Sequence, residues 1–130
     1  MIYYQDSNFT IEWDDLTRIV IATSTGFVKG DLFRNPMDKI TELLKEKRGH
    51  TLLNDLRAAA LTDPADMEWL ATNWVPRTVA AELRRSAMIM PPSVLAQMQM
   101  NRSVKSLTSG PEVRYFDNVD GAKAWLNSPG

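Results

Sequence analysis

Side chains able to do chemistry are few in this chain and widely spaced. Its 130 residues include one histidine, His50, and no cysteine. With one imidazole and no thiolate, a tetrahedral nitrogen/sulfur zinc site cannot be assembled within one chain; disulfides, thiol nucleophiles and cysteine-held clusters are excluded outright. A histidine-based relay would need a nucleophile and an orienting acid beside His50, and no spacing supplies them. Gly26 and Gly30 read as turn glycines, because neither the dinucleotide fingerprint nor the Lys-Ser/Thr of a nucleotide-binding loop accompanies them. The acids Asp38, Asp63, Asp66 and Asp120 are expected in first helical turns, where a carboxylate complements the helix dipole. Asp63-Pro-Ala-Asp66 is too short and too stiff for a calcium loop. No metal, no cofactor and no catalytic set is expected.

The composition, 44% hydrophobic and 24% charged, is that of an ordinary globular protein, and the length fits a single domain over residues 1–130. Fifteen Lys and Arg against 16 Asp and Glu leave a net charge of -1, too little field to collect nucleic acid. No apolar run is long enough to cross a bilayer, and no basic stretch followed by an apolar one opens the chain. A cytoplasmic location is the expectation.

Any chemistry must be positioned by elements that the periodicity makes visible. Ile2 to Gln5 reads as a short strand. Phe9, Ile11 and Trp13 alternate with polar residues as in a strand with one wet face, and Asp14-Asp15 turns the chain. Arg18 to Thr23 is apolar on both parities, as in a central strand covered on both sides. Asn35, Pro36 and Asp38 read as a helix start, with Met37, Ile40, Leu43 and Leu44 on one face, Lys45, Lys47 and Arg48 in the last turn and Gly49 as the stop. His50 to Leu53 is the next strand. Asp63-Pro64-Ala-Asp66 opens a second helix carrying Met67, Leu70, Ala71 and Trp74; Pro76 kinks or ends it, and Val79 to Leu83 adds a short turn. Ala87 to Met90 is a strand, and Pro91-Pro92-Ser93 starts a helix carrying Val94, Leu95 and Met98, with Arg102 and Lys105 at its end. After a loop from Ser106 to Pro111, a strand from Glu112 is turned by Asp117-Asn118 into a helix ending at Leu126. The order β-β-β-α-β-α-β-α-β-α implies an α/β fold whose sheet is mainly parallel with antiparallel N-terminal strands and about four helices. Trp13, Trp69, Trp74 and Trp125, with Met88, Met90, Met98 and Met100, read as core packing before pocket lining.

Two sets of residues carry a family resemblance. Leu52-Leu53-Asn54-Asp55-Leu56-Arg57 is similar to the Leu-Asp-Leu-Ser strand of STAS domains. Ile89-Met-Pro-Pro92, Tyr115-Phe-Asp117 and Ala122-Lys-Ala-Trp-Leu126 resemble the bacterial SpoIIAA-like, STAS/SEC14-like proteins. The resemblance implies a regulatory domain switched by phosphorylation of a serine in an Asp-Ser-Ser/Thr-Gly loop. Here Asp63 matches the aspartate, but Pro64 and Ala65 occupy the hydroxyl positions, so the phosphoacceptor is missing and Thr62 is only a nearby substitute.

In open parallel sheets, ligands sit beyond the carboxyl ends of the strands. That edge nominates Asn54, Asp55, Arg57, Ser93, Asp117 and Asn118, together with Pro91 and Pro92. The helix starting near Ser93 lacks a first-turn acid, so its free amides, aided by Arg57, are the expected place for an anionic group. Three functions follow. The leading one is a non-catalytic regulatory module that binds a protein partner or small ligand, with a homodimer possible. The second is a carrier of an apolar ligand lined by the tryptophans and methionines. The third is a small hydrolase or transferase in which Asp55, Arg57 and Ser93 converge.

Overall fold

A computed structural model of the chain describes residues 1–100 and 110–129, with side chains up to Ala96 and again from Gly110. Met98, Met100, Arg102, Lys105 and most of the loop expected before Pro111 lie outside the described side chains. Six strands, β1 (Ile2–Gln5), β2 (Phe9–Asp14), β3 (Ile19–Gly26), β4 (Thr51–Ala59), β5 (Arg85–Ile89) and β6 (Glu112–Phe116), form one sheet in chain order. β1, β2 and β3 make an antiparallel meander; β3 through β6 run parallel. The helices are α1 (Asp31–Lys47), α2 (Pro64–Trp69), a π turn (Leu70–Trp74), α3 (Val75–Ala80), α4 (Pro92–Met100) and α5 (Val119–Asn127). α2, the π turn and α3 form one continuous helical unit, so the expected element order and α/β class hold.

The two-residue period of β3 and β4 divides the interior into two cores. On one face Val20, Ala22 and Leu52 join Phe9, Ile11 and Trp13 of β2 and pack against Phe33, Met37, Ile40, Leu43 and Leu44 of α1 and Trp74 of the π turn. On the other face Ile19, Leu53, Ala87 and Ile89 are covered by Ala122 and Leu126 of α5. The apolar run of β3 on both parities therefore has a partner for each.

Three local readings are corrected. α1 begins five residues before Pro36: Gly30 holds the cap position at φ 63°, and Pro36 and Asp38 lie inside the helix. The start is set by a long-range contact, since the Asp66 carboxylate accepts from the Gly30 amide at 3.0 Å. Pro36 is buried within the helix. Pro76 neither ends nor visibly breaks its helix, because the turn before it is widened, with the Val75 amide bonded to the Leu70 carbonyl five residues back. A proline needs relief from the carbonyl four residues earlier, and a π turn provides it. The third correction is the length of β4, which runs to Ala59, six residues past Leu53.

At the end of α1 the left-handed residue is Arg48 (φ 51°), not Gly49. Gly49 serves packing: a Cβ there would lie 3.1 Å from the Trp13 ring. His50 is placed where its Nδ1 lies 2.9 Å from the Glu82 carbonyl oxygen, a contact that requires the proton on Nδ1.

Candidate functional site

The lengthened β4 changes what the carboxyl edge contains. β5 pairs with β4 only as far as Ile89 opposite Asp55, whereas β3 stays paired with it to Gly26 opposite Ala59. β3 and β4 thus project past the rest of the sheet. Asn54 is buried in mid-strand between Ala22 and Met88, not at an open edge.

Asp55 and Arg57 lie two residues apart on one face of β4 and are bound to each other. Arg57 donates from Nε to Oδ1 at 3.0 Å and from a terminal nitrogen to Oδ2 at 2.7 Å, a bidentate fork. The Arg57 hydrogen bonds hold the Asp55 carboxyl below its usual range despite partial burial, and the same contact raises the guanidinium. A depressed carboxyl adds stability above its unfolded pKa and loses it as pH falls through the folded one. Arg57→Gln is therefore expected to return the Asp55 carboxyl toward the ordinary range in a carbon-detected NMR titration, and to flatten the acid limb of the stability curve.

The remaining candidates have local duties. Asn118 caps α5, its Oδ1 accepting from the Gly121 amide at 2.7 Å while its amide donates to Asp117 Oδ1 at 2.7 Å. Ser93 is exposed within the first turn of α4, which starts at Pro92, and the Leu95 amide bonds to Pro91. Among the described residues no hydrogen bond joins Ser93 to Asp55 or Arg57. Arg57 is already engaged by a carboxylate, which also removes it from the anion site expected at Ser93. Asp63 caps α2 through the Ala65 amide at 3.1 Å.

Sequence reasoning missed what lies beside these residues. The loops leaving the projecting ends of β3 and β4 are joined by a bond from the Ala60 amide to the Gly26 carbonyl, 3.0 Å. From these loops and the helices they lead into rise Phe27, Leu32, Leu61 and Met67, each more than half exposed. Of these, Leu32 lines a recess of about 200 Å³ together with Tyr4, Asp6, Ser7, Asn8 and Val28. Its floor is fixed. Burial works to raise the Asp6 carboxyl, but hydrogen bonds from the Tyr4 hydroxyl and the Asn8 and Phe9 amides outweigh it and leave the group lowered. The available signal was the placing of apolar residues in loops, Phe27-Val28 after Gly26 and Leu61 before Thr62-Asp63.

Beneath this apolar group Asp66, 1% exposed, ties α2 to the start of α1. Besides the Gly30 amide it accepts from Arg34 Nε at 3.0 Å. Arg34 and Arg77 both stack on the Trp69 ring, 5.3 and 5.6 Å from its centre, and Arg77 also pairs with Asp38 at 2.7 Å. Trp125 is likewise held between Arg85 and Arg114. Trp13 and Trp74 are buried in the first core. None of the four tryptophans lines the recess.

No family model matches the sequence, and no curated protein matches it. Among solved structures it is similar to an uncharacterised protein of the DUF3478 family from Shewanella loihica PV-4, described as having a SpoIIAA-like fold. The TM-score is 0.54 at 16% identity, over 95% of this chain and 99% of that one. The chain adopts the SpoIIAA-like fold. At this identity the likeness concerns the path of the backbone, so the working residues of this SpoIIAA-like chain are read from its own surface. Among its described residues no helix is long and apolar enough to cross a membrane.

Proposed function

We propose that this SpoIIAA-like domain is a non-catalytic regulatory module that binds a protein partner at the carboxyl edge of its sheet. The observation that carries the reading is the exposure of Phe27, Leu32, Leu61 and Met67 on the loops and helices that follow β3 and β4, with Leu32 also lining the recess. Contiguous apolar surface left in water is a mark of interaction sites. The recess is smaller than the roughly 300 to 1,000 Å³ typical of small-molecule pockets. It suits one anchoring side chain of a partner better than a whole lipid, and the burial of Trp13 and Trp74 in the core further weakens the carrier reading. By the resemblance to STAS domains, Pro64 at the first position of α2 stands where their switching serine would be, and on this reading control rests on occupancy of the edge.

The test is a pair of variants at the tips, Phe27→Ser and Leu61→Asp, both outside the cores. Partners captured by the wild-type protein are identified by mass spectrometry, purified and titrated calorimetrically. The reading requires a stoichiometric partner whose affinity falls at least about tenfold in the variants, as expected when central apolar anchors are lost. Unchanged binding, or no stoichiometric partner, overturns it.

A further inference from the structure

The two edges of the sheet are treated differently. β1 is four residues long, carries a bulge between Ile2 and Tyr4, and is tied at its end by bonds between Met1 and Trp13 in both directions, each about 3 Å. Such features blunt an edge against further pairing. β6 has an unbroken register, Arg85 opposite Glu112 through Ile89 opposite Phe116. The Glu112 amide bonds to Arg84 and the Phe116 carbonyl to Met90. In a parallel ladder the groups of one residue point to the same neighbour and alternate along the strand. Glu112, Arg114 and Phe116 therefore face β5, and the N–H and C=O groups of Val113 and Tyr115 point outward, where no described residue bonds to them.

We infer that β6 pairs antiparallel with β6 of a second copy about a two-fold axis at Val113, joining the two sheets into one. In this register Val113 faces Val113 of the other copy and exchanges two backbone bonds with it. Each Tyr115 amide meets the carbonyl of Pro111 across the axis, and the tyrosine ring, 42% exposed in the single chain, covers that proline. Glu112 falls directly opposite Arg114 twice, once on each side of the axis. The Glu112 carboxylate is only loosely engaged within one chain, 4.0 Å from Arg85 and 3.8 Å from Arg114, beyond the 2.7 to 2.9 Å of a charge-assisted hydrogen bond, while Arg114 lies over the Trp125 ring. An axis at Arg114 would instead set two arginines face to face, which selects the Val113 register. The inference stands apart from the apolar group at the carboxyl edge.

Sedimentation of the full chain across a dilution series tests it. The expected species at high concentration has twice the mass of one chain. Val113→Pro removes an outward amide to which no described residue bonds, and is expected to abolish the dimer while preserving the circular dichroism spectrum. Glu112→Arg is expected to weaken it by about tenfold, and the double exchange Glu112→Arg/Arg114→Glu to restore it, because two cross-strand pairs become repulsive and then opposite again. A chain monomeric at every concentration overturns the proposal. So does a dimer that survives Val113→Pro, or a double exchange no better than the single one.

Discussion

Trp74→Ala is expected to cost about 3 to 5 kcal/mol, the range for truncating a buried large aromatic side chain. The ring fills the space between the π turn and α1 in the larger core, and its indole N–H donates to the Met37 carbonyl at 2.8 Å. Domains of this kind hold roughly 5 to 15 kcal/mol in total, so the loss is a large share of the whole. Urea denaturation followed by circular dichroism should show the midpoint falling accordingly. Trp74→Phe separates the two contributions: it keeps most of the apolar volume, and the Met37 carbonyl stays bonded within its helix, so the loss should shrink to about 1 to 2 kcal/mol. Equal losses in the two variants would mean that the hydrogen bond, and not the packing, is what Trp74 supplies.

Asp66→Ala should be nearly as damaging, by about 3 kcal/mol. The carboxylate is buried and its two contacts, to the Gly30 amide and to Arg34, join elements 36 and 32 residues apart. Removing one member of a buried pair typically costs about 3 to 5 kcal/mol. The lower end applies because Arg34 keeps about a third of its side-chain surface in water and can be solvated when abandoned. Hydrogen exchange would locate the damage: amides in the first turn of α1, from Asp31 to Asn35, should lose protection before the rest of the helix. If the whole of α1 opens together, Asp66 is not its N-terminal anchor.

These two residues also show what a reader of the sequence can and cannot recover. Strand and helix order was legible because hydrophobic period reports directly on how many faces of an element are covered, as Phe9-Ile11-Trp13 and the run from Ile19 to Ala22 illustrate. The N-cap of α5 at Asn118 and the Pro64 start of α2 were legible because their chemistry is confined to a few neighbouring residues. The start of α1 was not, since its determinant is a carboxylate in another helix, and Asn35-Pro36 mimics a local start that the fold overrides. Pro76 misled for a related reason: the sequence shows the missing amide but not the widened turn that accommodates it. The partners of the candidate residues were invisible in the sequence. Asp55 and Arg57 neutralise one another only because β4 continues as a strand and puts both on one face. The exposed apolar group depends on two loops meeting where Ala60 bonds to Gly26, a contact that no window of the sequence contains.

The unequal make-up of the two cores bears on how the molecule is made. Among the described residues, every side chain of the larger core comes from residues 3 to 83, whereas the smaller one draws on α5. A nascent polypeptide that has cleared the ribosome as far as Leu83 already possesses all the described side chains of the first. Until Ala122 and Leu126 emerge, Ile19, Leu53, Ala87 and Ile89 form a bare apolar sheet surface, which makes that face the place where a chaperone would be needed during synthesis.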